Sequence, residues 1–225
     1  MQNRLSAIGS RALAQKTIRG LYAITPDEQD TDSLLGRARL ALQGGARVLQ
    51  YRNKLASSDL RLEQASALQR LAREFSVPLI INDDAVLVLE VDAAGVHLGR
   101  ADGSVAVARK LLGADRMIGG SCYNRISLAL EAKEEGADYV AFGAFFESRI
   151  KPDAPVATIE LLHEARGKLG LPVVAIGGIT ADNGKQLVSA GADALAVISA
   201  LFSAEDVLLA ARRFADMNLD RKEAT

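Results

Sequence analysis

One stretch, Pro172 to Ser199, reads PVVAIGGITADNGKQLVSAGADALAVIS. It opens with a near-continuous apolar run, Val173-Val174-Ala175-Ile176, as expected of a strand buried on both faces. A helical pattern over 183–190 follows, and Gly191-Ala192-Asp193 leads into a second apolar run over 194–199. Glycine suits the left-handed turn just past a helix C-terminus. The same junction recurs as Gly136-Ala137-Asp138, and in a variant form as Gly44-Gly45-Ala46. Working outward from these corners, strands are predicted at 21–25, 47–51, 78–82, 95–98, 117–121, 139–143, 172–177 and 194–199. Helical patterns are predicted at 33–43, 58–75, 85–90, 105–112, 125–135, 159–169, 183–190 and 204–216. Eight βα units in 225 residues fit an α/β protein of the (β/α)8 TIM-barrel type, usually ~250 residues. A doubly wound open sheet is the competitor. No G-x-G-x-x-G follows the first strand, and the alternation runs through to the end of the chain.

At ~150 residues per domain this length gives about 1.5, which suits one large domain better than two. The expected organisation is an N-terminal helical extension over 1–19, a barrel over 20–217 and a polar tail over 218–225. Arg4, Arg11, Lys16 and Arg19 precede the first acid, Asp27, with no apolar signal core among them. The segment reads as a short basic helix beneath the barrel rather than a targeting peptide.

Composition excludes several function classes. The 27 Lys and Arg against 28 Asp and Glu leave a charge of −1, unlike a non-specific nucleic-acid binder. With 49% hydrophobic and 24% charged residues the chain is folded rather than disordered. No apolar run approaches the ~20 residues of a membrane-spanning helix. One Cys and two His build neither a disulfide nor a zinc cage. A soluble, cytoplasmic protein acting on a small molecule is expected, as a monomer or homodimer.

In this fold the reacting groups gather where strands end. Strand two ends Gln50-Tyr51-Arg52-Asn53-Lys54. Alternation puts Gln50, Arg52 and Lys54 on one face above Val48, so two cations stand together at the mouth. They indicate either a polyanion site, such as one for a diphosphate, or a salt-bridged rim. Strand three ends Asn82-Asp83-Asp84, with Asp84 suited to cap the next helix and Asp83 to hold a metal. Asp102, after strand four, is either a second metal ligand or a turn residue. His97 is equally a satisfied core histidine or a catalytic one. Strand five ends Gly119-Gly120-Ser121-Cys122-Tyr123, and Cys122 reads as a buried filler. The loop after strand six carries Glu147, Ser148, Arg149, Ile150 and Lys151 and reads as a ligand clamp. Gly177-Gly178 and Ser199, at the ends of strands seven and eight, match the usual phosphate site of the fold.

Taken together, these strand ends resemble the thiamine phosphate synthase family. The resemblance rests on Leu21-Tyr22-Ala23-Ile24-Thr25, Gln50 to Lys54, Ile81-Asn82-Asp83-Asp84 and Gly95-Val96-His97-Leu98-Gly99 with Asp102. It continues through Ala137 to Gly143, Ala175-Ile176-Gly177-Gly178-Ile179 and Gly191-Ala192-Asp193. It implies a transferase that joins 4-amino-2-methyl-5-hydroxymethylpyrimidine diphosphate to 4-methyl-5-(2-phosphoethyl)thiazole, giving thiamine monophosphate and diphosphate. It further implies that Gln50, Tyr51, Arg52, Asn53, Lys54, Asn82, Ser121 and Lys151 hold the pyrimidine diphosphate. Arg52, Lys54 and Lys151 would assist its departure, and Asp83 and Asp102 would hold Mg²⁺. Ser148, Arg149, Ile150, Gly178, Ile198 and Ser199 would hold the thiazole phosphate. Two departures stand out: Ile150 replaces a hydroxyl residue, and Glu147 adds a negative charge. Related alternatives are a thiazole tautomerase, which depends on a histidine where this chain has Tyr123, and a non-catalytic thiamine-phosphate-binding paralogue.

Overall fold

The computed structural model describes residues 18–147 and 156–217. Eight parallel strands close on themselves in sequence order, with β1 paired to both β2 and β8. They are β1 (Gly20–Ile24), β2 (Ala46–Tyr51), β3 (Leu79–Asn82), β4 (Gly95–Leu98), β5 (Met117–Tyr123), β6 (Tyr139–Phe142), β7 (Val173–Ile176) and β8 (Ala194–Val197). Around them lie α1 (Thr31–Gln43), α2 (Ser58–Glu74), α3 (Ala85–Val91), α4 (Val105–Leu112) and α5 (Ile126–Glu134). The ring is completed by α6 (Ile159–Lys168), α7 (Gly184–Ala190), α8 (Ser199–Phe202) and α9 (Val207–Ala215). The (β/α)8 barrel expected from the sequence is therefore present. Each predicted strand has its counterpart, with ends moved by one or two residues.

One boundary differs in kind. The apolar run that reads as a strand to residue 199 stops at Val197, and the chain turns into the short helix α8 at Ser199. The following helix starts at Val207 rather than 204, because Asp206 caps it through the Leu209 N–H at 2.9 Å. The predicted extension and tail fall almost wholly outside the described residues. Ile18, just before β1, is buried against the barrel interior.

Strand alternation divides the core in two. Outward residues such as Leu21, Leu49, Ile81, Val96, Val140 and Leu195 pack beneath the helices. Inward residues, among them Tyr22, Val48, Ile80, Met117, Tyr139, Val174 and Ala196, fill the barrel. Gly119 makes this possible on β5: a Cβ there would lie 2.1 Å from Cζ of Tyr139.

The repeated Gly-Ala-Asp corners clasp the base. Gly136 and Gly191 take φ of +97° and +128°. Asp138 accepts the N–H of Ile118 on β5, and Asp193 that of Val173 on β7, both at 2.8 Å. Each corner thus ties the strand it opens to its neighbour. Arg109 braces the first corner, reaching Asp138 and the carbonyl of Gly136.

Candidate active site

The opposite rim collects the charged strand ends. Thr25, beyond β1, donates its hydroxyl to the Arg52 carbonyl and accepts the Arg52 N–H, both at 2.9 Å. This fixes the backbone at the end of β2. Asp27, in the loop after β1, holds the Arg52 guanidinium and the Lys54 backbone. One carboxylate oxygen is 3.1 Å from Nη1 of Arg52, and the other accepts the Lys54 N–H at 2.5 Å. The Lys54 ammonium reaches across to Asp83 at 3.3 Å. Sequence reading missed Asp27; its only local signal is that it is the first acid of the chain.

Asp84 takes the capping role the sequence predicts. Asp84 caps α3, accepting the N–H groups of Val86 and Leu87. Asp83 adopts the left-handed conformation at φ 65°, which turns it away from the helix. Its carboxylate meets that of Asp102. Burial, and then the neighbouring Asp83 charge, hold the Asp102 carboxyl above the usual range, while Lys54 opposes the shift. Gly99 leaves the room: a Cβ there would lie 2.4 Å from Asp102 Oδ2. Two facing carboxylates with one partner ammonium form a hard-oxygen donor set, which suits a divalent cation that also takes phosphate oxygens. Among the described residues no group of three or more metal-ligating side chains occurs.

The stretch from Gln50 to Lys54 splits by parity. Gln50 and Arg52 follow the inward face of β2. Tyr51 and Asn53 face α2, where the buried Gln64 carbonyl accepts from the Tyr51 hydroxyl at 2.9 Å and from the Asn53 amide at 3.0 Å. Asn53 also donates to the carbonyl of Glu28 at 2.6 Å. The side chains of Tyr51 and Asn53 are therefore not brought to the mouth. They brace the loop that carries Asp27.

Beneath the mouth a chain of hydrogen bonds crosses the barrel. The Gln50 amide donates to the Tyr22 hydroxyl at 2.8 Å, and the Tyr22 and Tyr139 hydroxyls are 2.9 Å apart. Tyr139 lies 3.2 Å from Nδ1 of His97, whose Nε2 is 2.9 Å from Oγ of Ser121. Burial raises both tyrosine hydroxyls well above their usual pKa and lowers His97 to about 4. His97 is thus a half-buried, hydrogen-bonded group with Ser121 above it. Asn82 lies on the same inward face, half-buried. Pairing of β5 with β6 slips between Ser121 and Tyr123, and Tyr123 takes φ 53°. Cys122 points into the outer core, its thiol pushed up to about 12 by burial, in keeping with its reading as a filler.

On the far side of the mouth Gly177 and Gly178 have φ of +99° and +63°. A Cβ on Gly178 would strike the Glu147 carbonyl at 2.4 Å, so the turn packs directly on the start of the β6 loop. The Glu147 side chain is exposed. Ile198 immediately precedes α8 without a side-chain cap, and Ser199 is its first residue, exposed at the rim. Ser148, Arg149, Ile150 and Lys151 lie outside the described residues.

A closed parallel barrel with cations and paired carboxylates on one sector of its rim, and a Gly-rich turn on another, has the form of a (β/α)8 enzyme, whose reacting groups gather at the strand C-termini. The family model described as thiamine monophosphate synthase matches residues 21–201, and the chain belongs to that family. A thiamine-phosphate synthase of Methylobacillus flagellatus is 57% identical over 197 residues, covering 88% of this chain and 94% of the relative. One of Nitrosomonas eutropha is 54% identical over 200 residues, covering 89% and 94%. The solved thiamine phosphate pyrophosphorylase of Pyrococcus furiosus superposes with a TM-score of 0.81 at 36% identity, covering 91% of this chain and 96% of that one. No helix among the described residues is long and apolar enough to cross a membrane.

Proposed function

We propose that the chain is a thiamine phosphate synthase, a transferase that moves the aminopyrimidine-methyl group from diphosphate to the thiazole nitrogen. The observation that carries this reading is the rim cluster, in which Arg52 pairs with Asp27 and Lys54 with Asp83, whose carboxylate faces that of Asp102. In it, Arg52 and Lys54 bind the diphosphate directly, and the facing carboxylates bind it through a cation.

Arg52 enters this site preorganised, since Thr25 holds its backbone and Asp27 its guanidinium. Diphosphate oxygens then share Arg52 with Asp27 and Lys54 with Asp83. Asn82 and Ser121 orient the pyrimidine, and the Gly178 turn with Ser199 receives the thiazole phosphate. Lys151, Ser148, Arg149 and Ile150 are assigned to the clamp above by family resemblance. Asp83 and Asp102 would hold Mg²⁺, which would supply positive charge to offset the negative charge developing on the departing diphosphate. The carbon–oxygen bond to the methylene breaks, and its electron pair leaves with the diphosphate. The electron-rich aminopyrimidine stabilises the resulting cation, and the thiazole nitrogen donates its lone pair to form the carbon–nitrogen bond. The protein's task is charge neutralisation and placement. No side-chain nucleophile or base at the reacting carbon is required.

The test is a coupling assay with both substrates, with and without Mg²⁺, read by thiamine monophosphate and diphosphate appearing in equal amounts. Binding of both substrates without product would overturn the reading in favour of a non-catalytic binder. Tyr123 at the end of β5 supports the synthase over a tautomerase, which needs a histidine there.

A further inference from the structure

The proposed reaction uses Ser121 and leaves Tyr22, Tyr139 and His97 without a part. These residues nevertheless form a continuous polar file through an otherwise apolar barrel. Burying two hydroxyls beside a half-buried imidazole is unfavourable unless each proton has an acceptor.

The file runs in one direction. The Gln50 amide nitrogen can only donate, so the Tyr22 oxygen accepts from it at 2.8 Å. Among the described residues the other partner of that hydroxyl is Tyr139, at 2.9 Å, and the Tyr22 proton points there. Tyr139 is then left to donate to Nδ1 of His97 at 3.2 Å. A neutral imidazole carries a single proton, which must sit on Nε2 and point to Oγ of Ser121 at 2.9 Å. The reverse order makes Tyr22 accept twice and strands its own proton, fully buried, without an acceptor. His97 also stacks on Tyr139, with centroids 5.6 Å apart and planes at 29°, which holds the ring in this plane.

We infer that Tyr139, backed by Tyr22 and Gln50, is a positioning residue that locks His97 in the Nε2–H tautomer. Ser121 therefore meets its ligand as a hydrogen-bond donor. The His97 proton takes one lone pair of its oxygen, and its own proton is left to point into the mouth. On the reaction proposed above, from which only the ligand's identity is taken, that donor selects a pyrimidine ring nitrogen. A ring bearing a proton at that position would offer this donor no lone pair.

Two measurements on the full-length protein test this. The chain has two histidines, His97 and His163, and His163 is exposed, so ¹⁵N spectra of histidine-labelled enzyme at neutral pH read His97 directly. The expected result is a protonated Nε2 and an unprotonated Nδ1 in the free wild type, giving way to a tautomer mixture in Tyr139→Phe. A protonated Nδ1 in the wild type, or spectra unmoved by Tyr139→Phe, would overturn the inference. If Tyr139→Phe does not fold, Tyr22→Phe breaks the file one bond earlier and is read the same way.

In turnover, Tyr139→Phe should lower kcat/KM for the pyrimidine diphosphate about tenfold and leave KM for the thiazole phosphate unchanged. Ser121→Ala should lose at least as much, and the double variant no more than Ser121→Ala alone. Additive losses would show that Tyr139 acts through general stability and would overturn the inference. A wild type that binds but does not couple its substrates counts against the proposed reaction. The tautomer measurement, made without substrate, still decides the file.

Discussion

Gly119→Ala is a one-carbon change whose effect follows from the barrel interior. The new Cβ would lie 2.1 Å from Cζ and 2.5 Å from Oη of Tyr139. Ordinary van der Waals contact needs at least 3.4 Å, so the ring must retreat by more than an ångström. It is fully buried, and its hydroxyl is bonded to Tyr22 at 2.9 Å and to His97 at 3.2 Å. Retreat on this scale breaks at least one of these bonds. Overpacking a core costs ~1–3 kcal/mol and each lost hydrogen bond about 1 kcal/mol, so the loss, with one or both bonds broken, is about 2–5 kcal/mol. At ~2–4 °C per kcal/mol for a chain of this size, the melting temperature falls by about 4–20 °C. Urea unfolding measures the loss as a lower midpoint with an unchanged slope. In a Tyr139→Leu background the clash is relieved, and the same alanine should cost under ~1 kcal/mol. A Gly119→Ala protein as stable as wild type, or equally destabilised in both backgrounds, would refute this account of the interior.

Three further outcomes are expected. His97 falls from 6.5 to about 4 through burial. Above pH 6.5 it is neutral folded or unfolded, but below it the unfolded chain takes up a proton that the native state refuses. Stability therefore falls between pH 6.5 and 4, by up to about 3 kcal/mol, and His97→Gln should lose that part of the slope; parallel stability–pH curves would contradict it. Arg52→Lys should reduce kcat/KM for the pyrimidine diphosphate at least tenfold, because an ammonium cannot hold Asp27 and a phosphate in the forked geometry of a guanidinium; full-rate turnover would be the contrary result. Asp83→Asn keeps the left-handed backbone, which asparagine tolerates, but removes one of two facing charges. Half-maximal activity should then need several-fold more Mg²⁺, and an unchanged Mg²⁺ titration would place the metal elsewhere.

What was legible in the sequence follows from period-two alternation and corner chemistry. Val173 to Ile176 and Ala194 to Val197 announce strands buried on both faces, and the glycine corners place their starts. Alternation also sends Gln50 and Arg52 inward, and Asp84 has the form of a helix cap. The same alternation sends Tyr51 and Asn53 outward, where Gln64 takes them, although family resemblance includes the whole stretch in the binding site. Other features were hidden because they are long-range. Tyr22 and Tyr139 are 117 positions apart, and their meeting depends on barrel closure and on the space left by Gly119. Asp27 acquires meaning only when β1 and β2 lie side by side. The turn from β8 into α8 was invisible because residues 194–202 are apolar enough for either state.

The Asp138 and Asp193 clasps sit at the opposite pole from Arg52, Asp83 and Ser121. Scaffold and chemistry are thereby decoupled: substitutions among the upper connections leave the lower fastenings untouched. A lineage built on such a plan can exchange one set of reactants for another without reinventing its frame.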